Sequence, residues 1–172
     1  MRPAPASLPA FVPGRTTKRT TVEVLTLELG KRLFAVEMSA VREVLRLGPI
    51  TAVPGTPPSI VGAMNAGGRI LPVLDLGRLL DDRPTPLARG GPAVAVTSGG
   101  YEAVLCALRP QHLVELESSQ GGARERLYRL FETDSGVVAL LDLPAVFVAV
   151  AAEADRLARS YRPTSSAERV RR

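Results

Sequence analysis

The 172-residue chain has no tryptophan, one cysteine and one histidine, and only 4% of its residues are aromatic. Each scarcity excludes something. A lone Cys106 permits neither an intramolecular disulfide nor a thiolate cluster for structural zinc, and it points to a reducing compartment. A lone His112 leaves no multi-imidazole metal site and no Ser-His or Cys-His nucleophile except through itself. With so few rings the core must be aliphatic, and no strand shows the aromatic stripe on which nucleic-acid bases stack. Long apolar runs are missing too: the longest, Val137 to Ala152, is interrupted by Asp142 and Pro144 and is too short for a bilayer span. Residues 1–14 carry four prolines and no apolar segment of the secretory kind. Neither glycine-rich nucleotide-loop pattern occurs. The expectation is a protein that is not an enzyme, with no metal, no cofactor and no membrane span.

What is present suits one domain with a sizeable core: 45% of residues are apolar and 23% charged. The formal charge is +5, but it is unevenly placed. Residues 1–20 contribute +4 through Arg2, Arg15, Lys18 and Arg19, and residues 154–172 contribute a further +4, leaving −3 on the body between them. A mildly acidic body disfavours a polyanion-binding core, so no nucleic-acid partner is expected. Any such binding would be weak, salt-sensitive and confined to the tails.

Alternation marks Val22 to Leu29 as a strand, and Gly30-Lys31 turns it into a second strand over Leu33 to Met38. Val41, Val44, Leu45 and Leu47 fall at helical spacing, so a short helix capped by Ser39 and stopped by Gly48-Pro49 is expected next. A brief strand follows at Ile50 to Val53, then a hairpin over Ile60 to Met64 and Ile70 to Leu74 through Asn65-Ala66-Gly67-Gly68, and a helical turn over Leu76 to Leu80. Beyond the Pro- and Gly-rich stretch at 81–92 the order repeats. Ala93 to Leu108 forms a hairpin like Leu25 to Met38, with helix-like Gln111 to Leu116 after it. Gly136 to Phe147 echoes Arg69 to Leu80, with Leu141-Asp142-Leu143 lying 67 residues beyond Leu74-Asp75-Leu76. A duplicated small β-barrel accounts for this. The expected fold is mostly β: two packed, five-stranded SH3-like barrels with short helices and a C-terminal helix. The expected boundaries are a disordered arm at 1–20, a first barrel at about 21–80, a linker at 81–92, a second barrel at about 93–143, a helix at 144–161 and a basic tail at 162–172. The barrels and the start of the helix make one domain over 21–153.

The stretch Gly62 to Leu76 carries the most information. Gly67-Gly68 permits positive φ in a tight turn. Pro72 implies an edge strand or an amide that pairs with nothing, and Asp75 stands where it can cap the next helical turn; Asp142 is its counterpart in the second copy. These are structural roles. Gly62, Asn65, Gly68, Pro72, Val73, Leu74, Asp75 and Leu76 also match a known signature: the segment resembles that of the CheW family of chemotaxis coupling proteins. The resemblance extends over residues 20 to 150, taking in Val41-Arg42-Glu43-Val44 and Val137 to Leu143.

The resemblance implies an adaptor in a chemotaxis-like signalling pathway. One face would bind the regulatory domain of a CheA-type histidine kinase, and the groove between the barrels would receive the helical signalling tip of a methyl-accepting chemoreceptor. Such a protein would be cytoplasmic and recruited to receptor clusters. The implied receptor surface comprises Val41, Val44 and the Asn65, Gly67, Gly68, Arg69 turn with Glu43 as its polar group, and the Gly62 to Asn65 strand end is a candidate for kinase contact. Two departures stand out. The family usually has arginine where this chain has Gly67, so a cation for Glu43 would have to come from Arg69. At Arg109-Pro110 the usual acidic residue is replaced by a base. These departures keep open a diverged scaffold that binds a receptor or another cytoplasmic regulator without recruiting the kinase. Exposed strand edges and an aliphatic groove also predict weak self-association at high concentration.

Overall fold

The computed structural model describes residues 21–81, 83–106, 109–117, 121–134 and 136–161. The N-terminal arm, the basic tail and Asp82 lie outside them, as do the side chains of Asp81, Arg109 and His112. The hairpins follow the alternation of the sequence. Strand β1 (Thr21–Leu29) turns into β2 (Arg32–Glu37), β4 (Ile60–Ala66) into β5 (Arg69–Asp75), and β6 (Pro92–Ser98) into β7 (Tyr101–Cys106), with β3 at Val41–Arg46. The chain continues through β8 (Arg109–Glu117), β9 (Gly121–Arg124), β10 (Tyr128–Thr133) and β11 (Gly136–Leu141). Helix α1 (Leu76–Asp81) follows β5 and helix α2 (Leu143–Ser160) follows β11, so the two halves place their helices alike.

The strands form two sheets, β8-β1-β2-β11-β10-β9 and β3-β6-β7-β5-β4, one strand more in the first than the expected five. Reading across, β8, β1, β2, β11 and β10 correspond to β3, β6, β7, β5 and β4. Each set has the same pairing: antiparallel throughout except for one parallel step, β2 with β11 and β7 with β5. The duplication seen in the sequence is therefore present, but the halves are interleaved. Each repeat gives its opening hairpin to the other repeat's sheet. A first barrel over 21–80 and a second over 93–143 consequently do not describe the subdomains. Residues 83–91 do not link them either, since this loop runs from α1 to β6 within the five-stranded subdomain. Thr85 N–H donates to Asp75 at 2.9 Å, the Gly90 N–H donates to the Leu47 carbonyl at 2.9 Å and the Leu47 N–H to the Gly91 carbonyl at 2.8 Å, and these bonds tie the loop down.

Hairpin exchange leaves the central strands buried on both faces. In the five-stranded subdomain, Leu71, Val73, Ala93, Ala95, Val104 and Cys106 face its own core. Val24, Ala35, Leu116, Phe131 and Val138 do the same in the six-stranded one. The alternate residues, among them Leu27, Phe34, Val94, Val96, Leu105 and Leu141, meet between the sheets and are closed over by Leu143, Val146, Ala149 and Val150 of α2. Even Thr26, a polar residue of β1, is buried with only 2% exposure.

Two expected helices are strands. Ser39 caps nothing; it lies in a single 3-10 turn, Met38–Ala40, and its hydroxyl donates to Glu37 at 3.3 Å. Val41–Arg46 and Arg109–Glu117 then run extended against β6 and β1, each with one extra residue in the ladder. The strand expected at Ile50 to Val53 reduces to one bridge, Thr51 with Ala63.

Cys106 shows how dry the inner core is. Its thiol is fully buried, donates to the Leu74 carbonyl at 3.1 Å, and is pushed up to about 12, first by burial and then by the Asp75 carboxylate. A disulfide-exchange reagent at pH 8 should find no reactive thiol in the folded protein and one after denaturation. The unfolded thiol titrates near its ordinary 9.0. The unfolded state therefore loses this proton first, and stability falls as pH rises from 9 towards 12. Denaturant titrations of wild type and Cys106→Ala should show a steeper alkaline slope in wild type.

Candidate functional site

Tight turns of Gly67-Gly68 and Gly99-Gly100 close the hairpins at one end of the five-stranded sheet. Gly67 and Gly68 have φ of 57° and 88°, two successive left-handed residues that an arginine would enter only with strain. The Asn65 side chain fixes the turn by accepting the Gly68 N–H at 2.7 Å. The turn thus directs the chain into β5 with Arg69 as its first residue. On β5, Arg69 shares a face with Leu71 and Val73, which line the inner core, so its guanidinium lies over the open end of that core.

There Arg69 meets two carboxylates. It donates to Glu43 of β3 at 3.0 Å and to Glu102 of β7 at 2.7 Å, and Arg42 reaches Glu102 at 3.5 Å. The cation for Glu43 is therefore present and comes from Arg69, two positions beyond the glycine. The four charges cancel, and the side chains are between 26% and 56% exposed, so pairs of this kind add well under about 1 kcal/mol each to stability. Their value is positional. Val44 and Ile70, 54% and 71% exposed, provide apolar surface on β3 and β5.

The other singled-out residues serve the frame. Val41 packs on the core between the sheets. Gly62 lies beneath Thr51, where a Cβ would overlap the Thr51 carbonyl oxygen. Pro72 is not on an edge strand, since β5 runs between β7 and β4. Its missing N–H falls one residue short of the β7 ladder, which covers Val73 to Asp75. Asp75 is buried, and it accepts the Gly77 N–H and Thr85 N–H at 2.9 Å each as well as the Thr85 hydroxyl. Asp142 caps α2 by accepting the Ala145 N–H at 3.0 Å.

A cleft of about 720 Å³ opens between the subdomains, with Glu37, Ser39, Tyr128, Arg129, Leu140 and Pro144 in its walls. None of the eight residues expected to touch a partner lines it. It adjoins their cluster, however, because Thr97 in its wall is the cross-strand partner of Glu102. The outer strands of the sheets are β3, β4, β8 and β9, and β4 is partly covered by the Thr51 bridge. Glu102 and Arg42 escaped the sequence reading. Only the hairpin register could have flagged Glu102, which stands two residues past the Gly99-Gly100 turn on the inner-core face.

Among the described residues there is no group of three or more His, Cys, Asp or Glu able to hold a metal, and no helix is long and apolar enough to cross a membrane. A family model described as the CheW-like domain matches residues 23–151. The chain belongs to that family. Among curated proteins, the one named probable chemotaxis protein CheW from Rhizobium etli is 35% identical over 68 residues. That match spans 39% of this chain and 44% of the relative's length. Among solved structures, the crystal structure of scaffolding protein TtCheW from Thermoanaerobacter tengcongensis has the same fold, with a TM-score of 0.63 and 19% identity over 74% of this chain and 88% of that one. As a CheW-like domain, the protein carries the two β subdomains and the C-terminal helix of that fold.

Proposed function

We propose that this CheW-like protein is a non-enzymatic adaptor that couples chemoreceptor signalling tips to a CheA-type histidine kinase, acting in the cytoplasm at receptor clusters. The ion pair between Arg69 and Glu43 at 3.0 Å carries this reading. It rebuilds, from a different position, the arginine–glutamate pair that family resemblance implies beside the receptor surface. Adaptor function is geometric: apolar surface supplies affinity and a few fixed polar groups supply orientation. Val44 and the Asn65 to Arg69 turn fit the receptor side, and the Gly62 to Asn65 end of outer strand β4 fits the kinase side.

Titration calorimetry of the full chain against the kinase regulatory domain and, separately, the receptor signalling tip from the same organism tests the proposal. Binding to both is expected. Binding to the tip alone would support the diverged scaffold, and binding to neither would overturn coupling. Arg69→Ala should weaken tip binding by about tenfold, a loss in the range of a charged group at an interface. It should shift stability by less than about 1 kcal/mol, because both of its ion pairs are exposed.

A further inference from the structure

Neighbouring residues on a strand point to opposite faces, so Arg42 and Glu43 would ordinarily be separated by the sheet. The irregularity in β3 removes that separation. The ladder passes from Val41, opposite Val96, to Glu43, opposite Ala95, and Arg42 is the extra residue. A bulge re-aims side chains, and here it brings both charges to the same end of the inner core. The result is a row of four charges of alternating sign joined by three contacts. Arg42 reaches Glu102 at 3.5 Å, Glu102 reaches Arg69 at 2.7 Å, Arg69 reaches Glu43 at 3.0 Å, and Glu43 adjoins Arg42 in the chain.

The two cations are unequally committed. Arg69 has a carboxylate within 3.0 Å on each side. Arg42 makes a single, longer contact through Nε, its side chain is the most exposed of the four at 56%, and its remaining N–H donors bond to nothing among the described residues. A guanidinium has four such donors beyond Nε, arranged to take a carboxylate in bidentate fashion. Within a cluster of no net charge, an added anion is held only where a cation can turn outward without breaking a short bond. Arg42 meets that condition and Arg69 does not.

Resting on the coupling reading, we propose that Arg42 determines receptor specificity at this face by binding a carboxylate on the helical signalling tip. In this assignment Arg69 is a positioning residue that holds Glu43 and Glu102 in place.

The test uses the full chain and the isolated cytoplasmic signalling tip of a chemoreceptor from the same organism, titrated over a range of salt. Arg42→Gln should bind the tip about tenfold more weakly, and Arg42→Glu more weakly still. Melting temperature and affinity for the kinase regulatory domain should stay unchanged. The salt dependence of tip binding should flatten in Arg42→Gln, and replacing one acidic residue of the tip by lysine should restore binding to Arg42→Glu. Unchanged tip affinity in both variants, or a loss with the wild-type salt dependence intact, overturns the assignment and leaves coupling standing. A wild-type chain that ignores the tip overturns coupling, and the assignment with it. In the free protein, side-chain nitrogen NMR should show the Arg42 guanidinium rotating faster than that of Arg69, and equal restraint would count against the assignment.

Discussion

Asp75→Ala is expected to lower the free energy of unfolding by about 3 kcal/mol, the scale set by leaving several buried donors without an acceptor. The carboxylate is 2% exposed. It accepts the Gly77 N–H at 2.9 Å and, more weakly, the Arg78 N–H at 3.4 Å, which are orphan donors at the start of α1. It also accepts both the Thr85 N–H, at 2.9 Å, and the Thr85 hydroxyl, and it lies 3.7 Å from the Arg78 guanidinium. One side chain therefore starts a helix and anchors the loop that follows. Urea titration should show the loss in the midpoint, and hydrogen exchange should show residues 83–91 opening before β5 does. Asp75→Asn keeps one acceptor oxygen and should lose about half as much. A loss under about 1 kcal/mol in the alanine variant would mean that the loop is held by its contacts with Leu47 instead.

Gly62→Ala is the second large effect, about 2–3 kcal/mol, the usual scale for forcing an atom into packed backbone. The residue has φ of 155°, and an added Cβ would lie 2.8 Å from Ile50 Cγ2 and overlap the Thr51 carbonyl oxygen. That oxygen accepts the Ala63 N–H at 2.9 Å, and the Thr51 N–H donates back to Ala63 at 2.8 Å. Accommodating the methyl group means lifting residues 50–51 off β4 and exposing its outer edge. Thermal unfolding should register the cost. Loss of exchange protection at the amides of Thr51 and Ala63, with β5 and β7 unaffected, would localise it. Retained protection at both amides would show that the strand shifts instead of the loop. The wild-type glycine thus keeps part of an outer strand covered, which bears on how much of β4 a partner can use.

The hairpins were legible in the sequence because alternation and paired glycines report local geometry. Strands β3 and β8 were not, and both failed for one reason. Each carries an extra residue in its ladder, so apolar positions that should recur every second residue are thrown out of step. Val41 and Val44 both lie on the side facing the other sheet although they are three residues apart, a spacing that imitates a helix. Strand β10 went unread because Arg129 and Glu132 interrupt the apolar residues, and Phe131 and Leu130 pack on opposite faces, while β9, Gly-Gly-Ala-Arg, has no alternation to read. The repeat was visible, but its interleaving was not, since no local signal tells a hairpin which sheet it will join. At the candidate site, Glu43, Asn65 and Arg69 could be named from the turn and the resemblance. Glu102 could not, because it meets Arg69 only after β7 has been placed beside β5.

The exchanged hairpins have a consequence for how the protein is made. Strands β1 and β2 find their neighbours in β8 and β11, on average some hundred residues further along the chain as judged from Leu25 with Leu113 and Phe34 with Ala139. During synthesis the amino-terminal hairpin leaves the ribosome with both of its outer edges unpaired; the edge of β1 waits for β8 and that of β2 for β11, the last strand. Contacts this distant make folding slow and leave sticky edges open meanwhile. A chain cut near residue 82 should give two pieces that each remain unfolded alone and assemble into the native protein only when mixed.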